Sequence, residues 1–141
     1  MADDGSDFAR SMSIATSGLR AQAGRMRVIS ENIANADSTA PTAGGDPYRR
    51  KVPTFSSALD RTLDAKVVTL GKVRTDQSEF RVKHEPSNPA ADAAGNVKYP
   101  NVNPLVEMTD MREAQRSYEA NVNVIGVTRR MIQRTLDILK A

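Results

Sequence analysis

Apolar or near-apolar side chains at Met12, Ala15, Leu19, Met26, Ile29 and Ile33 recur at alternating spacings of three and four residues, with Gln22 in the one remaining slot. Further along, Tyr118, Val122, Ile125, Ile132, Leu136 and Leu139 repeat the pattern, with Arg129 in the gap. A stripe this narrow cannot cover a broad globular core; it needs a partner helix. The spacing therefore predicts two long helices pairing in a coiled-coil-like manner, within the chain, between chains or both. Three Phe, three Tyr and no Trp leave few large anchors for a self-sufficient interior. Both observations point to a building block of an assembly.

The first helix is expected over about Phe8–Asn35, after a disordered stretch 1–7, with Ser6 or Asp7 as its N-cap. Gly18 and Gly24 inside it each cost about 1 kcal/mol against Ala, either as a tolerated cost or in return for close approach of a neighbour. The breaker-rich run ADSTAPTAGGDP closes the segment. From Pro47 to Pro104 the chain reads as strand and loop, with candidate strands Arg49–Phe55, Lys66–Thr69, Lys72–Thr75 and Phe80–His84. Gly71 between two β-branched runs suggests a tight hairpin. Phe55, Leu59 and Leu63 have helical spacing, and the proline-rich run 85–104 reads as an extended loop.

The last helix is expected from about Pro104 or Leu105 to Leu139, with Pro104 in its first turn. Acids gather early and bases late, which complements the helix dipole. Gly126 suggests a kink or a close contact. Met111, Val124, Met131 and Ile138 form a second apolar stripe, so this helix is expected to touch more than one neighbour. The fold class is thus α+β, with a helix-bearing segment 1–39, a small β-rich middle region 40–104 and a second helical segment 105–141.

No catalytic constellation is present. Cysteine is absent, and the single histidine, His84, has no second His or Cys with which to hold a metal. Gly44-Gly45 is followed by Asp-Pro, with no Lys-Ser/Thr to cradle a phosphate. Asp60 and Asp64, like Asp76 and Glu79, lie in polar stretches and read as surface charge. Ser11, Ser13 and Ser17 have no base partner. No cofactor is called for, and the chain is read as a non-enzyme. The net charge is +3, and its densest basic run, Arg49-Arg50-Lys51, has only Tyr48 beside it. That reads as a solvated surface and no nucleic-acid site. No run of about 18 apolar residues spans a membrane. The acidic start MADDGSDF lacks a secretory apolar stretch, so export would proceed without a cleavable signal.

The stretch SGLRAQAGRMRVISENIANADST (17–39) resembles the N-terminal signature of flagellar rod and hook axial proteins. GGDPYRRKVPTF (44–55), EPSNPAADAAGNVKYPNVNP (85–104) and VEMTDMREAQRSYEANVNVI (106–125) are similar to the proximal-rod branch of that family. The resemblance implies a structural subunit of the bacterial flagellar basal body that self-assembles into the periplasmic, torque-transmitting rod. It implies as partners other copies, the proximal and distal rod subunits, the basal-body adaptor at the export gate and the flagellar type III export apparatus. It places the family's asparagine-rich joints at Asn32, Asn35, Asn101 and Asn103, as helix-end punctuation or as contacts between subunits. The expected assembly interface is these four together with Met12, Leu19, Met26, Ile29, Ile33, Tyr118, Val122, Ile125, Ile132, Leu136 and Leu139. From the residues alone a second class stays open, a soluble helical adaptor or chaperone-like binding module.

Overall fold

The computed structural model describes residues 4–140. The fold is α+β. Helix α1 spans Asp4–Ala34 and helix α2 spans Pro104–Lys140. Six short strands lie between them: β1 Lys51–Val52, β2 Phe55–Asp60, β3 Ala65–Leu70, β4 Arg74–Thr75, β5 Arg81–His84 and β6 Asn96–Tyr99. They pair antiparallel as three two-stranded sheets, β1 with β4, β2 with β3 and β5 with β6.

The helix ends follow side-chain chemistry. At the end of α1 the Asn35 amide donates to the Glu31 carbonyl at 2.8 Å, and the Ser38 hydroxyl donates to the Asn35 carbonyl at 2.9 Å. Each adds a second donor to a carbonyl that already accepts a backbone N–H, that of Asn35 or of Ser38, both at 3.2 Å. At the start of α2, Asn103 is the N-cap: its Oδ1 accepts from the Leu105 N–H at 3.1 Å, and Pro104 takes the first helical position. α1 begins earlier than its sequence predicts. Residues 4–7 are helical, with Asp7 paired to Arg10 at 3.5 Å, and acids in a first turn are favoured by the helix dipole. The expected disorder of residues 1–3 lies outside the described residues.

The chain divides into two compact units. One holds the described residues up to Met26, Thr54–Lys72, and Glu113 onward; the other holds Arg27–Pro53 and Val73–Arg112. In the first, α1 and α2 run antiparallel: Gly18 faces Asn121, and Arg25 pairs with Glu113 at 3.6 Å. The covered side of α2 there passes through Ala114, Tyr118, Asn121, Ile125, Thr128 and Ile132, a strict heptad seam that includes three of the expected positions. Met111, in the other unit, is half-buried. The most deeply buried side chains of the first unit are small: Ala15, Ala21, Ala65, Ala114 and Thr128.

The β2–β3 hairpin belongs to the same unit and corrects two expectations. Phe55 and Leu59 lie on a strand, since a spacing of four fits a period of two as well as a helical turn. The tight connection is at 61–64, with Asp64 at a φ of 45° and the Asp60 carboxylate accepting from the Thr62 N–H at 2.9 Å. Gly71 is where the chain leaves the hairpin, its N–H donating to the Thr54 carbonyl at 2.6 Å, and β4 pairs with β1 instead of β3. The first predicted strand is cut to two residues because Pro53 has no N–H to give.

In the second unit the run 85–104 is more ordered than a loop. β6 pairs with β5, and Val97 and Tyr99 pack with Ala90 as a buried cluster. Asn88 and Asp92 brace the turns before it by accepting from the N–H groups of Ala90, Ala94 and Asn96. Val28, Ile29, Val97 and Val102 give this unit larger buried side chains than the first.

The helical glycines separate by environment. A Cβ on Gly18 would lie 2.9 Å from the Asn121 amide, and one on Gly24 would lie 2.7 Å from the end of Leu70, so both mark close approach. Gly126 meets only Arg130, at 3.7 Å, in an unbroken helix. Gly126→Ala should therefore raise stability by about 0.5–1 kcal/mol, whereas Gly18→Ala should give no gain. Thermal melts of the two variants check this; equal gains would show that Asn121 moves aside freely.

Candidate assembly interface

The inner ends of the helices are tied together by a polar knot within the second unit. Asn32 is 1% exposed and makes four hydrogen bonds. Its Oδ1 accepts from the Lys51 N–H at 2.9 Å and from the Tyr48 hydroxyl at 2.8 Å. Its Nδ2 donates to the Lys51 carbonyl at 2.8 Å and to Glu107 at 3.1 Å. The Asn32 amide thus serves β1 as a neighbouring strand would, taking both backbone groups of one residue. Glu107, with no exposed surface, accepts from Arg50 Nε at 2.5 Å. The same guanidinium lies 3.7 Å from Asp76 and 3.8 Å from Asp110. Asn101 accepts from the Arg50 N–H at 2.8 Å and donates to the Asp76 and Ser78 carbonyls.

Sequence reasoning missed this knot. The basic run reads as solvated, yet Arg49 stacks on Phe80 at 4.2 Å, Arg50 binds Glu107, and Lys51 pairs with Glu31. Glu107 reads as one more acid early in a helix, yet it is the largest fully buried side chain. No local spacing reveals such pairs, because their members are separated by 57 and 75 residues.

Tyr48 carries the electrostatic signature of the knot. Burial, and then the negative charges of Glu31 and Glu107, push its phenol up to about 12. A raised folded value means that the contribution to stability is complete below the ordinary tyrosine value near 10 and is lost as pH climbs towards 12. The stability advantage of the parent chain over Tyr48→Phe should shrink by roughly 2–3 kcal/mol across that window. Urea titrations of both chains at several pH values check this, and a constant difference would refute it.

The remaining expected residues fall into three groups. Ile29 is buried, and Met12, Leu19, Met26, Ile33, Tyr118, Ile125 and Ile132 are partly covered within the chain. Asn35 and Asn103 act at helix ends, while Asn32 and Asn101 serve the knot. Val122, Leu136 and Leu139 are exposed, at 45%, 45% and 78%. Around them α2 also exposes Leu105, Val106, Met108, Val124, Val127, Met131 and Ile138. Ten large apolar side chains of α2 are thus exposed, spread around the helix. Among the described residues no group of metal-ligating side chains gathers, and no helix is long and apolar enough to cross a membrane. His84 is exposed on β5, its Nδ1 3.2 Å from Asn96 Oδ1.

Two family models match the chain at its helices: "Flagella basal body rod protein" over residues 12–40 and "Flagellar basal body rod FlgEFG protein C-terminal" over residues 93–138. The flagellar basal-body rod protein FlgC of Agrobacterium fabrum is 54% identical over 128 residues, covering 91% of this chain and 92% of that protein. The chain belongs to the FlgC family of flagellar basal-body rod proteins. FlgC of Bacillus subtilis is 39% identical, covering 92% of this chain and 97% of its own length. FlgC of Aquifex aeolicus is 34% identical, at 95% and 98%. Membership in this rod family makes the chain a structural subunit of the bacterial flagellar basal-body rod. The first family match covers α1 from Met12 through its end, and the second covers β6 and nearly all of α2, the helix with the exposed apolar side chains.

Proposed function

We propose that this FlgC-family chain is a proximal-rod subunit that packs against copies of itself, other proximal and distal rod subunits and the basal-body adaptor at the export gate. It is exported unfolded by the flagellar type III apparatus, and it works in the periplasm as part of a torque-transmitting shaft. It carries out no catalysis. The observation that supports this reading most is the exposed apolar surface of α2, where ten large side chains are exposed in one 37-residue helix. Burying a few hundred Å² of such surface at each neighbour stabilises a contact by several kcal/mol at roughly 25 cal/mol per Å², before ordering costs. A shaft needs load spread over many contacts of this kind. The polar knot supports the reading as well, since it fixes the inner ends of both helices to one strand.

The test is a pair of substitutions on α1. Leu19→Asp and Ile33→Asp should each block incorporation into the rod and abolish swimming while secretion continues. An unpaired charge in a desolvated helix contact costs several kcal/mol, and export of an unfolded chain does not probe packing. Normal motility in both variants would show that the stripe takes no part in the rod.

A further inference from the structure

Beside α1 the β2–β3 hairpin leaves an open groove of about 550 Å³. Met12 of α1 and Val67, Val68 and Leu70 of β3 give it an apolar lining, and Arg20 and Asp60 add one charge of each sign. Val68 and Leu70 stay more than a third exposed, so the chain's own side chains do not fill it. The outward N–H of Val68 is already taken, donating to the Ser17 hydroxyl at 3.1 Å. That occupied donor disfavours addition of a strand along β3 and leaves the groove suited to side-chain knobs.

The knobs are on the same chain. Residues 133–140, the last two turns of α2, are all exposed. Leu136 and Leu139 stand three residues apart on one helical face, and Lys140 follows Leu136 by four. This ridge has two apolar anchors, a cation and the intervening Asp137; the groove has an apolar lining, the Asp60 carboxylate and the Arg20 guanidinium. Each copy thus carries both halves of a contact and closes neither within itself.

We propose that the groove of one copy receives the Leu136–Leu139–Lys140 ridge of a second copy, with Lys140 meeting Asp60. This rests on the rod-subunit reading and deepens it. Groove and ridge are different patches, so the contact can repeat head to tail and generate a ring or an open helical array; a reciprocal exchange of ridges would instead close a two-fold pair, which cross-links to dimers without longer species. The head-to-tail repeat is the symmetry a shaft requires.

The chain has no cysteine, so an engineered cross-link is unambiguous. Full-length chain with Val68→Cys and Leu139→Cys, as the sole copy in the cell, would be oxidised in isolated basal bodies. The expected result is a ladder of covalent dimers and longer species. Each single variant alone should stay monomeric, and co-expression of the two single variants should give dimers only. Intact rods without the ladder would overturn the proposal and leave the rod reading standing; rods built in cells lacking this chain would overturn the rod reading itself. If the cysteine chain does not assemble, a charge exchange decides. Asp60→Lys and Lys140→Asp should each impair swimming, and the double variant should restore it; failure to restore overturns the proposal.

Discussion

Replacing Arg50 with Met should cost the folded chain about 3–5 kcal/mol, because it leaves the carboxylate of Glu107 buried without its cation. Glu107 has no exposed surface, and Asn32 Nδ2 at 3.1 Å would be its remaining side-chain donor. Asp76 and Asp110, at 3.7 and 3.8 Å from the same guanidinium, would lose their shared counter-charge too. Domains of this size are stable by only about 5–15 kcal/mol, so a loss of this order consumes much of the total. Lys98→Met supplies the control. It breaks an ion pair with Asp46 whose side chains are 42% and 65% exposed, and such pairs contribute about 0–1 kcal/mol. Urea denaturation of the three chains distinguishes them. Equal midpoints for Arg50→Met and the parent would mean that Glu107 is accommodated without its partner.

Removing residues 133–141 should leave the free chain folded and abolish rod assembly. The described residues of that stretch are all exposed, so their deletion takes little from the chain's own interior. It removes Leu136, Ile138 and Leu139, and each such side chain is worth roughly 1.5–3 kcal/mol when fully buried by a neighbour. The loss recurs at every copy, which turns a modest local penalty into failure of the array. Circular dichroism of the truncated chain should keep its β contribution, and basal bodies from cells with only this version should lack rods. Intact rods containing the truncated chain would show that the helix end is dispensable.

The two variants probe layers that differ in how far the sequence reveals them. The α2 tail is legible because its signal is local: apolar residues at helical spacing beyond the point where a partner stripe is available. The knot is not. Arg50 lies in a basic run that looks solvated, and Glu107 lies where a helix dipole favours any acid, so each has a sufficient local explanation that hides the long-range one. The hairpin shows a third case. Phe55, Leu59 and Leu63 fit helix and strand alike; pairing with Leu70 and Lys66 puts Phe55 and Leu59 on a strand, and Leu63 falls in the turn.

By itself the sequence determined the two helices, the end of the first near Asn35 and the start of the second at Pro104, the α+β class and the family. Helical period, caps and breakers act over a few residues and are written in order along the chain. The tertiary structure alone decided which stripe residues are covered within the chain and which stay free, that β4 pairs with β1, and that Asn32, Arg50 and Glu107 meet. Those outcomes depend on which distant groups compete for the same burial and the same hydrogen bonds. That competition is resolved only when segments between 19 and 75 residues apart come together.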